Sequence, residues 1–129
     1  MESKFNFKSQ ICTTREQSER LLALGLKKET ADMMHYMNGW GVLATPWRDD
    51  YESYKCYYPA WSLNRLIEMI QSVFERVNLY GLWVQIERRV FQEEYYGKKY
   101  NNLYENLIDC IEWLINRGYF NKEYLEIKE

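Results

Sequence analysis

The strongest constraint on this chain is a start-and-stop signal written twice. Thr13 followed by Glu16 reads as a capping box, in which a hydroxyl and a carboxylate each satisfy an amide left open at a helix's first turn. Gly25-Leu26 then supplies the left-handed residue and the apolar fold-back, here onto Leu21, that end a helix in a Schellman motif. Asn102 with Glu105, and Gly118-Tyr119 folding onto Leu114, repeat the pattern near the other end. The spacing predicts helices over 13–24 and about 103–117. In the first, Leu21, Leu22 and Leu24 give the apolar stripe, while Arg15 to Arg20 read as solvated. In the last, Leu103, Leu107, Cys110, Ile111 and Leu114 face inward, widened by Ile108, Trp113 and Ile115.

A third helix is expected over 62–77. Ser62 caps it, Trp61 staples onto Leu66, and Leu63, Leu66, Ile67, Ile70, Phe74 and Val77 recur at the helical period. Residues 28–34 favour a short helix with Leu26, Ala31, Met33 and Met34 inward, broken by Asn38-Gly39. Val42–Thr45 and Ser53–Tyr58 read as strands, with Pro46 ending the first and Arg48-Asp49-Asp50 as a polar turn. Over 80–96 two readings compete. Leu82, Val84 and Ile86 alternate with Trp83, Gln85 and Glu87 as in a half-buried strand, and 90–96 can form its partner. A helix through Trp83, Ile86, Val90, Phe91 and Glu94 also fits its period; β-branched and aromatic content favours the hairpin. The expectation is a single α+β domain over 1–129. An antiparallel sheet of about four strands, in two hairpins, is covered on one face by three main helices.

Chemistry is harder to find than fold. His35 is the lone histidine, so a thiol or hydroxyl nucleophile needing an imidazole must use it. Its neighbours Met33, Met34, Tyr36 and Met37 mark it as structural, at the end of the short helix. Cys12, Cys56 and Cys110 are widely spaced, and small buried hydrophobes are the expectation for all three. Any of them could meet His35 in space; Cys110 sits on an apolar stripe where burial makes it inert, which leaves Cys56 as the better nucleophile. Cys and His at zinc-binding spacing are missing. Asp49, Asp50 and Glu52 read as a solvated turn, and Glu93-Glu94 on a strand point to opposite faces. No glycine-rich phosphate motif occurs. Catalytic, metal and cofactor-binding residues are therefore expected to be none, and the chain is read as not an enzyme.

What stands out instead is aromatic content: five Trp, twelve Tyr and five Phe. Tyrosines on an open sheet could stack bases, with Lys55, Arg88, Arg89, Lys98 and Lys99 nearby. Glu87, Glu93 and Glu94 lie among them, however, and the formal charge is −2. Phosphate affinity needs unopposed cations, so nucleic acid is disfavoured. Tyr and Trp suit protein contact better, giving large area at low entropy cost. Tyr57, Tyr58, Tyr95, Tyr96 and Tyr100 are the expected interaction surface. No apolar run approaches the roughly 20 residues that span a bilayer, and the first residues lack a secretion signal's apolar stretch. A cytoplasmic protein with reduced thiols is expected, with no membrane contact.

Three segments carry a resemblance: ICTTREQSERLLALGLKKETADM at 11–33, PAWSLNRLIEMI at 59–70 and LIDCIEWLINRGYFNKEYLE at 107–126. Together they resemble a group of short uncharacterised proteins of gut anaerobic bacteria, often borne on phage-like or mobile elements. The resemblance implies a compact cytosolic accessory protein and carries over no functional residue. The leading expectation is a non-enzymatic module that contacts a protein partner or itself. The alternatives are a ligand-binding protein or minor enzyme with a pocket between sheet and helices, and a single-stranded nucleic-acid binder.

Overall fold

Helix α1 (Arg15–Ala23) begins one residue later than the capping signal suggested. Thr14, not Thr13, accepts from the Gln17 amide, and the Gln17 side chain returns the bond to the Thr14 amide. Thr13 is spent elsewhere. Its N–H donates to the Trp61 carbonyl at 2.9 Å, and its hydroxyl accepts from the Trp61 N–H at 3.0 Å. A computed structural model gives these positions and describes residues 10–38, 41–47, 57–74, 76–87, 94–97 and 100–126.

The exits match the sequence reading. Leu26 donates to the Leu21 carbonyl and Gly25 to Leu22, with Gly25 at φ +104°. Tyr119 donates to Leu114 and Gly118 to Ile115, with Gly118 at φ +74°. These pairs of bonds are the Schellman pattern. After α1, a single 3₁₀ turn (Lys28–Thr30) leads into strand β1 (Met33–Asn38). The short helix expected over 28–34 is therefore confined to that turn, and His35 sits on a strand. Cross-strand pairing with two neighbours overrides a local pattern that fits either period.

β1 is central to a three-stranded antiparallel sheet, between β2 (Gly41–Pro46) and β3 (Tyr58–Ala60). Helix α2 (Leu63–Gln71) is capped by Ser62 as expected but stops well short of residue 77. Its apolar stripe continues through Phe74 to Val77, yet Val77 belongs to β4 (Arg76–Tyr80). β4 turns through Gly81-Leu82 into β5 (Trp83–Glu87), and β6 (Glu94–Gly97) pairs with the other side of β5. Residues 83–87 and 94–97 thus form the favoured hairpin arms, not a helix. Helix α3 (Leu103–Asn116) follows, capped by Asn102, and a 3₁₀ turn (Lys122–Tyr124) lies beyond it.

The α+β class with antiparallel pairing holds. Among the described residues, however, the strands divide into two three-stranded sheets instead of one sheet of about four. β4, hidden inside an apparent helical stripe, makes the second sheet possible. One apolar cluster joins Leu21 of α1, Leu66 and Ile70 of α2, Val84 and Ile86 of β5, and Leu107, Ile111 and Leu114 of α3. Trp61 and Phe74 are fully buried in it. Among the described residues no helix is long and apolar enough to cross a membrane.

Candidate functional site

Folding brings two of the chemically suggestive residues together. Cys12 precedes α1, His35 lies on β1, and their Sγ and Nε2 atoms are 3.4 Å apart. The same Nε2 is 2.9 Å from the Thr13 carbonyl oxygen. A carbonyl can only accept, so Nε2 carries the proton and has no lone pair with which to deprotonate the thiol. The basic nitrogen is Nδ1, the one not facing sulfur. Burial, and then the charge of Asp32, push the Cys12 thiol up to about 11. The pair therefore has a nucleophile's geometry without its chemistry: the thiol stays protonated and the imidazole acts as a strut.

The surroundings reinforce that role. Tyr58 of β3 stacks on His35 with ring centroids 4.4 Å apart, and the Arg15 guanidinium lies 5.8 Å from the Tyr58 ring centre. Burial first, then Cys12, raises the Tyr58 phenol. Burial and Cys12 likewise raise Tyr104, whose hydroxyl donates to the Gln10 carbonyl at 3.2 Å. Asp32 takes both the N–H and the hydroxyl of Ser62. Cys110 lies on the buried face of α3, and burial raises its thiol further still.

A second polar cluster ties α1 to α3. Arg20 lies 3.2 Å from Glu105, 3.7 Å from Asp109 and 2.8 Å from Glu112. Burial works against its charge, but the Glu112 bond and the neighbouring charges more than offset this and raise its pKa. Gln17 donates to Glu105 at 2.9 Å and accepts from Gln10 at 2.7 Å. Gln17 and Ser18, expected to be solvated, are buried. Ser18 is 2.8 Å from the Thr13 hydroxyl. The sequence carries part of the signal for this cluster, since positions 105, 109 and 112 fall on one helical face; that Arg20 lies opposite is set by the fold.

The tyrosines singled out from the sequence do not form one patch. Tyr57 and Tyr58 are half-buried, at and just before β3 in the first sheet. Tyr95 and Tyr96 pair in register with Ile86 and Gln85 in the second sheet; their side chains lie outside the described structure. Tyr100 is half-buried, with Arg20 5.9 Å from its ring centre and its backbone bonded twice to Asn106. Asp49, Asp50, Glu52, Lys55, Cys56, Arg88, Arg89, Glu93, Lys98 and Lys99 also lie outside the described residues. Among the described residues no group of three or more His, Cys, Asp or Glu side chains could hold a metal ion.

Among the described residues, the large exposed apolar side chains are Ile11 and Leu22, before and on α1, and a group of three on the β4–β5 hairpin. Tyr80 is 57% exposed, Trp83 39% and Leu79 36%. Tyr80 and Trp83 are direct cross-strand partners on either side of the turn at Gly81, which has φ +64° and open space around it. The alternation of Trp83 with buried Val84 signalled Trp83's outward position. Tyr80 lies beyond the helix expected over 62–77, at the start of the 80–96 segment, and nothing in the sequence pairs it with Trp83; the observed β4 does. No family profile, curated protein sequence or solved structure matches the chain.

Proposed function

We propose that this chain is a small non-enzymatic protein-interaction module that binds through the second sheet, with the β4–β5 hairpin as its anchor. The observation that carries the reading is the adjacent exposure of Tyr80 and Trp83 at a two-residue turn. Paired aromatic rings fixed on a hairpin bring large contact area and little entropy to lose, the features of an interface hot spot. Tyr95 and Tyr96 lie on the same sheet, while Tyr57, Tyr58 and Tyr100 offer further contact of the same chemistry. The protonated thiol beside a proton-bearing imidazole weighs against a nucleophilic enzyme. The resemblance of the three segments supports reading the module as a cytosolic accessory protein of phage-like or mobile elements in gut anaerobes.

A benzophenone amino acid in place of Tyr80 tests the reading, with the exposed Glu19 as the control position. Irradiation in cells should give protein adducts from position 80 and few from position 19. Equal or absent adducts would remove the hairpin as a binding surface.

A further inference from the structure

Building on that reading, we propose that the partner is a second copy of this chain, joined edge to edge through β4 into one continuous antiparallel sheet. Among the described residues β4 has one strand neighbour, β5. The two-residue turn makes Tyr80–Trp83 the closing hydrogen-bonded pair of the hairpin, so residues 76, 78 and 80 direct their backbone bonds to β5. Val77 and Leu79 then present N–H and C=O to the open edge. The strand has no proline and no lysine, its register with β5 is unbroken, and its one charge is Arg76 at the first position.

The sequence Arg-Val-Asn-Leu-Tyr is complementary to itself when run antiparallel about Asn78. In that register Val77 and Leu79 of opposite copies exchange backbone bonds. Apolar meets apolar on the face shared with buried Val84 and Ile86. On the other face the Arg76 guanidinium meets the Tyr80 ring of the second copy, a cation–π pair. That row continues to Trp83 within each chain. Asn78 meets its own copy at the twofold axis, where the two amides can bond to each other. Centring the pair on 77 or 79 would set an open-edge residue against position 75 or against Gly81 in the turn. Only the Asn78 centre uses both open positions of each copy. The resulting interface is isologous and closes on itself.

The test uses the whole chain. Sedimentation should show a dimer at micromolar concentration. Leu79→Pro removes an outward N–H without touching the β5 ladder and should shift the chain to monomer. Asn78→Asp places two carboxylates together at the axis and should do the same, with rescue in high salt. Asn78→Cys should cross-link under mild oxidation, because facing Cα atoms in a pair of this kind lie about 4.5 Å apart. Arg76→Cys, which faces Tyr80 of the second copy, should not. A monomer at every concentration overturns the inference. So does a dimer that survives Leu79→Pro and Asn78→Asp without cross-linking through position 78. Neither result touches the interaction-module reading, which falls if the probe at position 80 captures no more protein than the probe at position 19.

Discussion

The Nε2 proton of His35 is committed to the carbonyl oxygen of Thr13, 2.9 Å away, and this bond sets the chemistry of the thiol beside it. An imidazole free to accept from Cys12 would make a reactive thiolate. One that must donate makes a fixed polar brace between β1 and the segment entering α1. Cys12 should therefore alkylate slowly in the native state. A thiol held near 11, against 9.0 for the ordinary group, has roughly a hundredfold less thiolate near neutral pH. Peptide mapping after iodoacetamide at pH 8 should show Cys12 protected natively and labelled in urea. His35→Gln keeps a donor for Thr13 and should not speed the reaction; acceleration would mean that the imidazole restrains the thiol by some other route.

The same shift predicts how stability varies with pH. The folded Cys12 binds its proton more tightly than the unfolded one, so its contribution is fully present below about pH 9 and is lost as pH rises toward about 11. Cys110, Tyr58 and Tyr104 are raised as well and act with the same sign. The urea midpoint should fall between pH 9 and 11. Cys12→Ser should reduce the slope without abolishing it, since the other three groups remain. A flat profile for the wild-type chain would contradict the burial of these groups.

Gly25 and Gly118 make a matched pair for testing helix exits. Neither site would crowd a Cβ, so replacement by alanine costs only the backbone conformation. A left-handed alanine costs about 1–2 kcal/mol. Gly25, at φ +104°, lies further from the left-handed well than Gly118 at +74°. Gly25→Ala should therefore be the more damaging in chemical denaturation, with both variants keeping the native fold.

These exits were legible because a Schellman ending is local: five or six consecutive residues contain all of it. The caps were legible to within one residue, and the reason for the slip is instructive. Thr13 and Thr14 are equally good caps in isolation, and the choice falls to Trp61, far along the chain, whose backbone takes up Thr13. β1 was missed because Met33 to Met37 alternates no more clearly than it repeats at 3.6, and only pairing with β2 and β3 decides. β4 was missed because Val77 falls on the periodic stripe of α2. With β4 unrecognised, the pairing of Tyr80 with Trp83 has no local signal. Fold class survives such errors; the candidate surface does not, because it depends on which strand lies at an edge.

Arg20 offers the sharpest electrostatic test. It is 28% exposed and bonds or lies close to three carboxylates of α3. Replacing it with methionine keeps the aliphatic packing but leaves Glu105, Asp109 and Glu112 facing one another across successive turns. Like charges at that spacing repel, and the lost charged hydrogen bonds add to the cost. Allowing for solvent screening, Arg20→Met should destabilise the chain by about 1–2 kcal/mol at pH 7 and low salt. The deficit should shrink in 1 M NaCl, where the screening length drops to about 3 Å. Adding Glu112→Gln to Arg20→Met should recover part of the loss, since it removes one of the opposed charges. Urea titrations of the single and double variants at low salt and in 1 M NaCl would check this. A deficit equal at low salt and in 1 M NaCl would show that the charge of Arg20 is not what stabilises the chain.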